Sequence, residues 1–180
     1  MIKYFKIFQN ENKEVKAIEY SERDQKNYFK FVKTQHEKGL RQVIITSEIM
    51  LEILKKYFID YNFDLVELSF VEEDSELDDE IKEILAKIEK NRACFIKLLE
   101  KLKCIANNSS IDIENIELKS TEKIYDKYVV FSIRVNGILL IDENNKELLK
   151  EITNLIGSKL YENYWIFNSY NSNYNSILVQ

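Results

Sequence analysis

The densest chemistry in this chain lies in Glu72-Glu73-Asp74-Ser75-Glu76-Leu77-Asp78-Asp79-Glu80, seven carboxylates in nine positions. Carboxylate oxygens are hard ligands, and several converging beyond the ends of neighbouring strands can hold Mg²⁺ against a phosphate. Asp24, Thr46, Ser47, Glu72, Glu73 and Asp74 all fall at strand ends if the sheet is an open α/β one. That makes Asp24, Glu72 and Asp74 candidate ligands of a Mg²⁺-dependent phosphoryl-transfer enzyme such as a nuclease. The same acids also have a structural use. They open a helical pattern whose N-terminal dipole favours anions, while Lys97, Lys101 and Lys103 suit its other end. Exposed on that helix, Asp78 and Asp79 would offer an acidic surface to a basic partner.

Asp112 followed by Glu117-Leu118-Lys119 has the loose shape of the Asp…Glu-x-Lys set with which some nucleases place two carboxylates and a lysine. A chain this rich in Glu and Lys produces such a triplet by composition alone. Cys94 and Cys104 stand ten positions apart in a helical pattern, about 15 Å along the axis, so they cannot close a disulfide. His36 is the only histidine and supplies no second ligand set. The three glycines, Gly39, Gly137 and Gly157, each read as a stop or a turn, which excludes a phosphate-cradling loop or a dinucleotide fingerprint. Aromatic residues gather late in the chain at Tyr161, Tyr164, Trp165, Phe167, Tyr170 and Tyr174. Tyrosine and tryptophan bury area while keeping a polar handle, so Tyr161, Tyr164, Trp165 and Phe167 are candidate interface residues beside Asp78 and Asp79.

Charge narrows the partners. Residues 1–70 carry twelve cations against eleven anions, residues 71–90 three against nine, and residues 91–180 eleven against eleven. The imbalance is local, and no global basic footprint points to nucleic acid. Lysines interrupt the apolar residues of Met1-Ile2-Lys3-Tyr4-Phe5-Lys6-Ile7-Phe8, and no apolar run approaches the roughly 18 residues of a membrane span. The expectation is a soluble cytoplasmic protein.

The elements that must position these groups follow from periodicity. Residues 2–8 and 14–20 alternate around a turn-rich stretch and predict a β-hairpin. Ser21-Glu22-Arg23-Asp24 is a capping-box start to a helix that stops at Gly39. Val43-Ile44-Ile45 suits a strand buried on both faces, followed by a helix through Tyr61 and a strand over 65–71 with one wet face. Together these predict a parallel βαβαβ-like unit. An apolar stripe from Leu77 to Ile105 predicts one helix of roughly 45 Å. Arg92 interrupts the stripe, so a break there into a helical hairpin is the alternative. Asn136-Gly137 predicts a type I′ β-hairpin, Leu148 to Ile156 a helix ending at Gly157 or shortly after, and residues 164–167 a closing strand.

The expected fold is thus one mixed α/β (α+β) domain over residues 1–167, with a polar tail over 168–180. The expected function is a non-catalytic interaction or regulatory protein, a subunit or inhibitor of a larger assembly. It would engage a protein partner or a second copy through its long helix, without a cofactor. The Mg²⁺-dependent nuclease is the alternative.

Overall fold

A computed structural model describes residues 1–72, 75–108, 111–124 and 127–177, without the side chains of residues 22, 108, 124 and 163–177. Among the described residues the chain forms seven strands and six α-helices. The strands are β1 (Ile2–Gln9), β2 (Val15–Glu19), β3 (Arg41–Gln42), β4 (Phe63–Phe70), β5 (Ile113–Ile124), β6 (Lys127–Arg134) and β7 (Ile138–Asp142). The helices are α1 (Glu22–Lys26), α2 (Tyr28–Glu37), α3 (Ser47–Lys55), α4 (Ser75–Lys90), α5 (Phe95–Asn108) and α6 (Lys146–Ile177). The mixed α/β class expected from the sequence is the one observed.

All seven strands join one sheet in the order β2-β1-β7-β6-β5-β4, with the short β3 added to β1. Every pairing is antiparallel, which replaces the parallel βαβαβ unit. β4 pairs with β5, not with its predecessor β3. The connections bear on it: three residues join β6 to β7, too few for the crossover a parallel pair needs, while the central β1, β6 and β7 are buried in runs because helices cover both of their faces. Residues 43–45 run as an extended strap instead of a two-sided core strand. Val43 donates its amide to the Ile7 carbonyl and Ile45 to the Val135 carbonyl, with both side chains buried, while Ile44 faces out.

The sheet separates two cores. On one face α3, α4, α5 and α6 press Ile53, Leu98, Leu102 and Ile152 onto Ile116, Phe131, Ile133, Leu139 and Ile141. On the other face α2 covers one end of the sheet, where Phe8, Tyr20, Phe31 and Ile138 form a smaller cluster. The wet side of β4 appears as expected, with one change of membership. A register shift between Leu65 and Glu67 turns Leu65 toward the core and leaves Val66 50% exposed.

The single long central helix resolves into the hairpin. α4 ends at Lys90, a 3₁₀ turn occupies Arg92–Cys94, and α5 returns antiparallel, tied to α4 by Lys101 on Glu80 at 2.7 Å. The acids and lysines that looked like opposite helix ends therefore lie side by side. Two glycines act at close quarters. Gly137 (φ +74°) closes the β6–β7 loop by donating to the Arg134 carbonyl; this is a three-residue loop with a bulge, not a type I′ turn. A Cβ there would stand 2.4 Å from the Val43 carbonyl oxygen. Gly157 does not end its helix, for α6 continues through residues 164–167, where a strand was expected. Gly157 instead lets α6 approach β2, where a Cβ would meet Val15 Cγ2 at 3.3 Å.

Candidate functional site

The structure does not bring the candidate metal ligands together. Asp24 is the N3 residue of α1: its carboxylate accepts from the Ser21 amide at 3.0 Å, and its own amide donates to Ser21 Oγ at 3.3 Å. It lies beside β2, at one edge of the sheet, whereas Glu72 follows β4 at the other. Five strand spacings, about 24 Å, separate those edges. Asp74 lies outside the described residues. Among the described residues no group of three His, Cys, Asp or Glu side chains is placed to hold a metal ion.

The other candidate polar residues are also engaged structurally. Thr46 caps α3, and Ser47 Oγ donates to Asp112 at 2.9 Å while accepting from the buried Ile113 amide at 3.0 Å. Asp112 is thereby fixed at the start of β5, while Glu117 and Lys119 share a face about 16 Å further along it. The Asp…Glu-x-Lys set does not assemble. Asp79, exposed in the first turns of α4, pairs with Lys82 at 3.3 Å, and Asp78 is half-buried. Tyr161 is half-exposed beside the β1–β2 turn, with Lys13 over its ring at 5.7 Å. Tyr164, Trp165 and Phe167 belong to α6, but their side chains lie outside the described residues.

A different cluster has the geometry of a site. After Lys55 the backbone widens into a π-helical turn, Lys56–Asp60, and reverses through Asn62 (φ +55°) into β4. Such turns leave carbonyls that a regular helix would satisfy, and Arg92 reaches across from the 3₁₀ turn to serve them. Its Nη2 donates to the carbonyls of Phe58 at 2.9 Å and Phe63 at 3.0 Å, and Nη1 pairs with Asp64. The guanidinium also lies 4.0 Å from the centre of the Phe58 ring, which stacks on Phe95 at 3.7 Å.

The turn so held presents Tyr57 and Tyr61 toward α6. Tyr57 is completely buried, its ring edge-on to Phe63 and Phe131 at 5.6 and 5.0 Å, and its hydroxyl has no hydrogen-bond partner among the described residues. Burial raises its pKa far above the ordinary tyrosine value, so it is a neutral donor. The Tyr61 hydroxyl donates to Glu151 Oε1 at 2.7 Å, and Lys56 Nζ lies 2.8 Å from the same oxygen. Burial works to raise the Glu151 pKa, but the bonds from Lys56 and Tyr61 outweigh it and hold it below the ordinary value. Between these groups and the first turns of α6 opens a cavity of about 560 Å³ lined by Tyr57, Tyr61, Phe63, Val129, Leu148 and Glu151. Tyr57 forms only the back of its wall, for the residue is completely buried, and Tyr61 and Glu151 are the polar groups at the opening.

Sequence reasoning missed this cluster. Tyr57 and Tyr61 stand four apart in an apolar stripe and read as core cover. An unmade hydrogen bond has no signature in sequence, and Glu151 comes from another element entirely.

On the opposite face of the sheet, Lys6 is 1% exposed and donates to the Asn136 carbonyl. Burial lowers its pKa to about 8.

No protein family matches the chain, and neither a curated protein nor a solved structure matches it.

Proposed function

We propose that this protein is a non-catalytic interaction or regulatory protein, a subunit or inhibitor of a larger assembly, that meets a protein partner or a second copy of itself through α6. The observation that carries this reading is the length of α6. Its 32 residues make a helix of roughly 48 Å, against about 11 to 12 residues for an average helix. Leu148, Leu149, Ile152, Leu155, Ile156 and Leu160 in its first half seal the larger core. The sequence then adds Tyr164, Trp165, Phe167, Tyr170 and Tyr174 within the same helix, residue types enriched where interfaces exclude water. Asp79 and the acidic start of α4 would extend the contact to a basic partner. Two free cysteines, Cys94 and Cys104, support action in the reducing cytoplasm. No helix among the described residues is long and apolar enough to cross a membrane.

The test compares the full chain with a version ending after Glu162, each tagged and purified from its own cells, by mass spectrometry and light scattering. A stoichiometric partner or a dimer with the full chain, lost on truncation while the melting transition is retained, is the expected result. A full chain that elutes as a monomer without a partner, or a truncated chain that keeps its assembly, overturns the reading.

A further inference from the structure

α2 packs on the face of the sheet opposite α3–α6, with α1 leading into it, and the outer side of this pair is basic. Residues 22–41 carry six cations against three anions, in a chain whose net charge is -5. Arg23, Lys26, Lys30 and Lys33 are all exposed, and none of them has an ion pair among the described residues. Between Lys26 and Lys30 stands Phe29, 88% exposed, more than any other large apolar side chain among the described residues. Its ring meets that of Tyr28 edge-on at 5.9 Å and is otherwise open to water.

A groove of about 640 Å³ runs between β2, α1 and α2. The carboxylates at its border are engaged, Glu19 with Lys3 and Asp24 with Ser21, so the unpaired charges that line it are those of Arg23 and Lys30. Gln35 lines it as well, at 7% exposure, and its amide has no hydrogen-bond partner among the described residues. That amide is open to the groove, for among those residues the Tyr57 hydroxyl is the one sealed side-chain group without a partner. A side-chain amide offers a donor beside an acceptor, the pattern that matches a base edge.

These features select the partner. Unpaired cations suit a polyanion, and an open aromatic ring suits a flat one. An anionic membrane needs several apolar residues to bury, whereas α1 and α2 expose only Phe29. An acidic peptide meets the cations but brings no base edge to Gln35. In a duplex the bases are stacked on one another, so only a single strand can offer them to Phe29.

We infer that the α1–α2 surface binds single-stranded nucleic acid: Phe29 stacks on one base, Arg23, Lys26, Lys30 and Lys33 meet the phosphates, and the Gln35 amide takes the edge of a base entering the groove. The surface does not depend on the interaction reading, for α6 packs on the other face of the sheet.

The test titrates the full chain into fluorescein-labelled strands of roughly 12 nucleotides, as DNA and as RNA, by fluorescence anisotropy at low salt. The same DNA as a duplex, polyglutamate, and vesicles of phosphatidylserine mixed with phosphatidylcholine serve as rival probes. Saturable binding to at least one single strand is expected, at least roughly tenfold tighter than to any rival, and the tighter strand identifies DNA or RNA as the partner. Four phosphate contacts make it weaken roughly 50-fold when salt rises from about 50 to about 200 mM. Phe29→Ala trims an exposed side chain, so it is expected to melt as the wild type does and to bind at least roughly fivefold more weakly. Gln35→Met, of similar shape without the amide, is expected to weaken binding too. Salt-sensitive binding with those losses supports the surface. No binding to either strand, a rival probe bound as tightly, or undiminished binding by Phe29→Ala and Gln35→Met each overturns it.

Discussion

Replacing Arg92 by alanine removes the group that satisfies the π-helical turn. The Phe58 and Phe63 carbonyls each lose a charge-assisted bond, at roughly 1.5 kcal/mol apiece. The contact with the Phe58 ring adds about 0.5 to 1 kcal/mol. The pair with Asp64 adds about 0.5 kcal/mol, since that carboxylate is 57% exposed. The Arg92 side chain is itself 37% exposed, so water reclaims part of the total and roughly 3 kcal/mol remains. For a chain of this size that lowers the melting temperature by roughly 6 to 12 °C. Urea unfolding followed by circular dichroism measures the loss, and hydrogen exchange over residues 56–63 localises it. Arg92→Lys keeps a charge for Asp64 but cannot reach both carbonyls, so it recovers no more than about 1 kcal/mol. A loss for Arg92→Ala within about 0.5 kcal/mol of zero would mean that water serves the two carbonyls and that the turn is held by other contacts. Full rescue by Arg92→Lys would refute the two-pronged bonding.

Four further outcomes follow from the packing. Lys6 has a folded pKa of about 8 against an ordinary 10.5, so between those values the unfolded chain binds more protons and stability rises with pH. The gain from pH 8 to 10 is roughly 2 kcal/mol, and pH-dependent urea unfolding should show it flattened in Lys6→Met. Gly137→Ala places a Cβ against the Val43 carbonyl at positive φ and costs at least about 2 kcal/mol by thermal denaturation. Ser47→Ala strands the buried Ile113 amide, at roughly 2 kcal/mol in urea. Gly157→Leu forces α6 away from Val15 and costs about 2 kcal/mol, whereas Gly157→Ala is nearly neutral because better helix propensity offsets the tight contact; scanning calorimetry distinguishes the two.

Features set by a few neighbouring residues were legible in the sequence. The capping box at Ser21 and Asp24 is present, and Gly39 ends α2 at φ +77°, with Leu40 donating back to Gln35, although the single helix expected between them is broken at Asn27 (φ -125°) into α1 and α2. The mixed α/β class and the wet face of β4 followed from periodicity alone. What was not legible depends on remote partners. Nothing local to β1 says that its neighbour is β7, so sheet order and strand direction were beyond pattern reading. Arg92 marks the helix break because its bonding partners lie on another element, and Gly157 read as a stop because Val15 was out of view. The separation of two candidate metal ligands was out of view for the same reason: Asp24 and Glu72 share a chemistry but sit at opposite sheet edges. The cavity beside Tyr57 draws on the π-helical turn, β4, β6 and α6, a convergence that only the folded chain displays.

The place of β7 in the sheet also bears on how the chain is made. β1 lies between β2 and β7, and Ile2 pairs with Asp142, so the Ile2–Lys6 part of the inner edge of the first hairpin, beyond the short pairing with β3, stays unpaired until residue 142 has been synthesised. At roughly 5 to 20 residues per second, the ribosome leaves that edge open for about ten seconds. β4, β5 and β6 are joined by consecutive antiparallel pairings and can form as soon as they emerge. The nascent protein thus has a late-closing seam, between β1 and β7, and an apolar hairpin bearing Tyr4, Phe5, Ile7 and Phe8 that must be kept from other chains until the seam closes.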